Sequence, residues 1–167
     1  MAALVIRDAG PEDAGTILGL IRELAAFEQE PDAVVATEAD LRRDGWGAVP
    51  RFYCRLAVLD HVVCGYALWF FNYSTWRGRV GLYLEDLYVT PAARGQGVGE
   101  RLVRDVARIA LGQGAGRLDF NVLDWNPARG FYARLGIHEL AGWRPYRLEA
   151  AGLAELAGQL SGGIDEA

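Results

Sequence analysis

Lysine is missing from this 167-residue chain, and all 17 of its basic side chains are arginines. A Walker-type phosphate loop, which needs Gly-Lys-Ser/Thr after its second glycine, is therefore excluded. Cysteine is scarce too. Cys54 and Cys64 stand in a medium-sized chain without secretory features, where two reduced packing residues are expected in place of a disulfide or a metal site. The longest apolar run, Val62 to Phe71, is far short of the ~20 residues that span a bilayer, and no basic-then-apolar leader opens the chain. No membrane role is expected, and the cytoplasm is the expected location. Positive charge is in deficit, with a net charge of −5, so a nucleic-acid partner is not expected either. An acidic balance suits a cationic substrate.

What is present is a globular composition, 51% hydrophobic. It is long enough for one substantial core, expected over residues 1–157, with Gly158 to Ala167 (GQLSGGIDEA) as a flexible tail. Leu4-Val5-Ile6 reads as a strand. Pro11 to Phe27 reads as a helix whose Ala14, Ile17, Leu18, Ile21, Leu24 and Ala25 share a buried face. Thr37 and Asp40 start a second helix, ending near Asp44-Gly45. Phe52 to Leu59 and Val62 to Asn72 form a hairpin about Asp60-His61, and Val80 to Val89 continues the sheet. A helix with Leu102, Val103, Val106, Ala107 and Ala110 on one face follows and stops at Gly112 to Gly116. Arg117 to Leu123 is the next strand, Asn126 to Leu135 a short helix, Trp143 to Leu148 a final strand, and a weak helix begins near Ala150. Hairpins and crossovers in this order predict an α/β fold with a mixed, mostly antiparallel sheet and helices on both faces.

The most informative stretch is Leu84 to Glu100, LEDLYVTPAARGQGVGE. A strand ends at Pro91, and Arg94-Gly95-Gln96-Gly97-Val98-Gly99 leads into a helix. Closely spaced glycines let backbone N–H groups approach an anion at the positive end of a helix, and Arg94 adds a full charge. Glu100 stands where a dinucleotide fingerprint beginning at Gly95 requires its last glycine, and the loop lies past the chain's midpoint instead of in a first βα turn.

The remaining pattern, R-G-x-G-x-G, resembles the acetyl-CoA pyrophosphate loop of the GNAT acetyltransferases. TEADLRRDGWG, YSTWRGR, YLEDLYV, RGQGVG, VLDWN and FYARLG follow in the order found in the diamine acetyltransferases, the spermidine/spermine and thialysine branch. The similarity runs from about Leu4 to Leu148. YSTW and VLDWN are closer to the thialysine type. This resemblance implies acetyl-CoA as co-substrate, a small primary amine as acceptor, direct transfer in a ternary complex and a homodimer.

An alkylamine of pKa about 10.4 arrives protonated and must lose a proton before it attacks. The resemblance makes Glu85 the base and Tyr132 the acid that protonates the departing thiolate. Strand alternation sends Asp86 to the opposite face unless a bulge intervenes, so one of the two adjacent acids is expected to dominate. Leu87, Tyr88 and Val89 are expected to offer backbone groups to the pantetheine arm. Arg94, Gly95, Gln96, Gly97, Val98, Gly99 and Glu100 are expected around the pyrophosphate. Asn126 is matched to a cofactor contact that also caps a helix, and Phe27 and Glu28 to the amine. The polyamine enzymes carry an acid in the stretch matching Ser74 and an acidic pair before the segment matching Gly142-Trp143. This chain has neither, which favours a short diamine or lysine-like amine. Polyamines, aminoglycosides, protein N-termini and a non-catalytic acyl-CoA sensor are the competing readings.

Overall fold

The computed structural model describes residues 3–160 and divides into two compact units, Met1–Arg129 and Gly130–Ala167. The first unit is built on a five-stranded sheet of β1 (Leu4–Asp8), β2 (Tyr53–Leu59), β3 (Val62–Ser74), β4 (Arg79–Val89) and β5 (Leu118–Asp119), in that spatial order. The first four strands pair antiparallel, and β5 joins β4 in parallel. Asp60 and His61 both take positive φ, 48° and 69°, as a two-residue hairpin turn requires for its twist to match that of the flanking strands.

Each face of the sheet is covered. On one side, α1 (Ala14–Phe27) and α2 (Glu38–Trp46) bury Ala14, Ile17, Leu18, Leu20 and Leu41 against the sheet. A bidentate pair at 2.7 Å, from the Arg7 guanidinium to Asp13, ties the end of β1 to the approach to α1. On the other side, α3 (Val98–Gly112) presents Val98, Leu102, Val106 and Ala110, four residues apart, to Trp69, Leu82 and Leu84. Thr37 caps α2 in a reciprocal box with Asp40, the signal legible in TEAD. No helix among the described residues is long and apolar enough to cross a membrane.

Three expectations about the chain after α3 are corrected. The strand expected over Arg117 to Leu123 shrinks to Leu118–Asp119, paired with Leu82 and Tyr83 alone. Beyond that pair β4 bulges, and a bulge bends the edge that a parallel neighbour would follow. The helix expected from Asn126 begins later, as α4 (Arg129–Arg134), because the Asn126 side chain accepts the Ala128 N–H at 2.9 Å and holds a turn ahead of it. The strand expected over Trp143 to Leu148 does not form: Pro145 lacks a ladder donor, and among the described residues no strand pairs with this segment. In the second unit the chain ends its described part in α5 (Ala150–Leu160), which takes in the start of the expected tail; residues 161–167 lie outside the described residues.

Candidate active site

A change of parity in β4 creates the site. Leu82 and Leu84 face α3, and so do Leu87 and Val89, although members of one face of a regular strand lie an even number of positions apart and Leu84 and Leu87 are three apart. The register explains it: Trp69 pairs with Leu84 and Leu68 with Asp86, leaving Glu85 as an extra, unpaired residue. Glu85 is exposed. This is the bulge that strand alternation excepts, so Glu85 and Asp86 are not held to opposite faces. After the bulge, Asp86 and Tyr88 lie on the α1 side, where Tyr66 and Tyr88 join the core beneath α1. Asp86 accepts a hydrogen bond from the Tyr66 hydroxyl at 3.0 Å. Its carboxyl is raised to about 6: burial is the main cause, the Tyr66 bond opposes it, and the negative charges of Glu85 and Glu28 add to it. Glu28, at the C-terminal end of α1, is also raised by burial.

The same bulge leaves a notch. β5 parts from β4 after Tyr83, so Leu84 to Val89 carry a strand on the β3 side only. Leu87, Tyr88 and Val89 thus border an unpaired edge. The Val89 carbonyl is engaged, accepting from Arg94 Nε at 3.0 Å.

The glycine loop follows directly. Gly95 and Gly97 have φ of 76° and 78°, in the left-handed region that side chains disfavour, and no atom outside their immediate neighbours lies within 4 Å of where a Cβ would stand. Gly97 caps α3 without a side-chain oxygen, and the first intrahelical bond runs from Arg101 N–H to Gly97 O at 3.0 Å. The N–H groups of Val98, Gly99 and Glu100 precede that bond and point out of the helix. Gln96 turns back to the Ala92 carbonyl, and the Glu100 carboxylate pairs with Arg104 at 2.8 Å, so neither side chain is turned toward the loop's open side.

Arg94 departs from the picture of a free surface charge. Its guanidinium lies 5.0 Å from the Phe27 ring centroid and 5.6 Å from that of Tyr88, and Phe27 also packs against Trp125 at 5.8 Å. Phe27 therefore bridges the glycine loop and the end of α1, a link that no local sequence pattern announces. The Ser74 hydroxyl, buried in the β3–β4 turn, accepts the Arg77 N–H at 3.3 Å. In the second unit, Tyr132 sits on α4 with its ring 5.1 Å from that of Phe131, and its carbonyl accepts the N–H groups of Leu135 and Ile137.

A mixed sheet with a bulged fourth strand, a notch beside it and a glycine-entered helix together make up a fold shared with solved N-acetyltransferases. The chain belongs to the Acetyltransferase (GNAT) family, which matches residues 18–137. It is 43% identical to thialysine N-epsilon-acetyltransferase of Bos taurus, over 95% of this chain and all of that protein. Among solved structures, an integron cassette protein from the mobile metagenome of V. cholerae superposes with a TM-score of 0.77 at 27% identity, covering 92% of this chain and 97% of that one. An aminoglycoside N-acetyltransferase in complex with CoA shares the fold, with a TM-score of 0.71 at 19% identity over 90% of this chain and 97% of that one. The protein is an N-acetyltransferase, and GNAT enzymes use acetyl-CoA.

Proposed function

We propose that this enzyme acetylates a primary amine of a short diamine or lysine-like substrate of the thialysine type, with Glu85 as base and Tyr132 as acid. The observation that carries the reading is the bulge, which turns an exposed carboxylate out beside an unpaired strand edge that leads into the glycine loop. The free N–H groups at the start of α3 and the open space over Gly95 and Gly97 fit a pyrophosphate. The edge of Leu87 to Val89, among the described residues without a strand neighbour on that side and with only the Val89 carbonyl engaged by Arg94, fits an amide-bearing arm. Acetyl-CoA supplies an activated thioester there. Asn126, already a turn acceptor, is included among the groups that contact it. Phe27 and Glu28 border the amine, Glu85 takes its proton directly or through one water, and the Tyr132 hydroxyl holds the proton that the departing sulfur takes up.

The cofactor part is tested by calorimetry with coenzyme A. Gly97→Val introduces a β-branched side chain at a positive φ and in the approach path, and a fall in affinity of at least tenfold is expected. Unchanged binding by a folded Gly97→Val variant would remove the pyrophosphate from this loop.

Substrate choice follows from charge. Ser74 serves its own turn, and no acid stands immediately before Gly142, so two partners for distal ammonium groups are missing. Partly exposed ion contacts contribute about 0.2–1 kcal/mol each. A modest preference is expected: kcat/KM for thialysine, lysine, ornithine or 1,3-diaminopropane a few-fold above that for spermine, read by thiol release. Spermine ahead by tenfold or more would overturn the charge argument.

The reading includes a cytoplasmic homodimer. Free, buried Cys54 and Cys64 accord with a reducing compartment. Trp143, Tyr146 and Leu148 are exposed along an unpaired segment, which a second copy could cover; sedimentation of the full chain as a monomer would exclude this.

A further inference from the structure

Asp86 is the enclosed half of the carboxylate pair, and most of what surrounds it opposes its ionisation. Glu85 from β4 and Glu28 from the end of α1 are the charges acting on it, and both are negative. Cys54 faces it from β2 as a neutral thiol, since burial pushes that thiol well above its ordinary range. No cation among the described residues acts on Asp86. One group favours the anion: Tyr66 on β3, fully buried, whose hydroxyl donates to Asp86 Oδ2 at 3.0 Å.

We propose that Tyr66 is a positioning residue of the amine site, its hydroxyl fixing Asp86 beside Glu85 as a second carboxylate for the incoming ammonium. The inference rests on Glu85 marking the amine end of the site. Tyr66 suits the task because burial drives its own ionisation far above working pH, leaving it a donor throughout. A hydrogen bond to an ionised acceptor is roughly twice as strong as one between neutral groups, so the bond favours the charged form of Asp86. The two acids then divide the labour. When Glu85 takes the ammonium proton its charge disappears, and the repulsion that resists ionisation of Asp86 disappears with it. The site therefore keeps a negative charge through the proton transfer. Without the hydroxyl, Asp86 would hold its own proton near neutrality and the amine would meet one carboxylate.

Tyr66→Phe, made in the full chain, removes the hydroxyl and keeps the ring. The Asp86 carboxyl is followed by carbon NMR, assigned by its loss in Asp86→Asn, with thialysine and 1,3-diaminopropane as probes. In the wild type its midpoint is expected near pH 6. In Tyr66→Phe it is expected about one pH unit higher. The acid limb of kcat/KM for the amine should move by the same amount, with the alkaline plateau and coenzyme A affinity unchanged. Superimposable titrations, or a uniform loss of kcat/KM at every pH, would overturn the proposal, as would an Asp86 signal that neither amine perturbs. Failure of the acetyl-transfer reading would look different: no thiol release by the wild type with any amine, while the carboxyl titration still decides whether Tyr66 governs Asp86. Should Tyr66→Phe fail to fold, 3-fluorotyrosine at position 66, a stronger donor of nearly the same size, decides: a lower Asp86 midpoint supports the proposal, and an unchanged one overturns it.

Discussion

Glu85→Gln is expected to lower turnover by about 10²- to 10⁴-fold near neutral pH, the range that a positioned general base supplies. The reason lies in the substrate: an alkylamine with a pKa of about 10.4 is almost wholly protonated at pH 7, and only the free base can attack a thioester. Gln has the shape of Glu85 and cannot take the proton. The deficit should shrink as the pH rises, because solution then delivers more neutral amine. A pH profile of kcat/KM from 6.5 to 10 for both proteins reads this directly. A constant ratio across the range would make Glu85 a structural residue.

Tyr132→Phe should act on the other proton. Coenzyme A affinity is expected to be kept, since the cofactor is proposed to bind through the α3 entry and the β4 edge. Turnover should fall by about 10²- to 10⁴-fold because the sulfur departs as an unprotonated thiolate. An acyl donor with a more acidic thiol leaving group should recover part of the loss, since that thiolate needs no proton to depart. Wild-type rates in Tyr132→Phe would assign the side chain to packing with Phe131.

Both side chains lie in short motifs, and the structure shows which features a short motif can carry. The glycine loop is a local device: positive φ at Gly95 and Gly97 depends on residues a few positions away. The Asp60-His61 turn and the Thr37 cap are local in the same sense. The bulge is not. Whether Glu85 is an extra residue depends on which residues of β3 lie opposite, and Leu68 and Asp86, which pair, are 18 positions apart in a chain that carries no mark of it. Tyr66 is not legible in the sequence for the same reason, because its partner Asp86 must first be placed on a face. Segments 120–123 and 143–148 are apolar enough to read as strands, but a strand also needs an edge to join, and a local pattern says nothing of the edge. Arg94 could be read as a cation near a helix start, whereas its seat on Phe27 and Tyr88 required two distant elements to meet.

The extra residue in β4 has an evolutionary side. Losing one residue from an ordinary strand sends every later side chain to the wrong face. Here the loss of Glu85 would do the reverse: Leu84, Asp86, Leu87 and Tyr88 would then alternate without interruption between the α3 side and the α1 side. The core could close over such a strand with all its packing partners in place. Architecture alone thus exerts no pressure to keep this position, and a descendant freed from catalysis could shed it at little structural cost. Persistence of the insertion in a lineage would record selection on chemistry, separately from selection on folding.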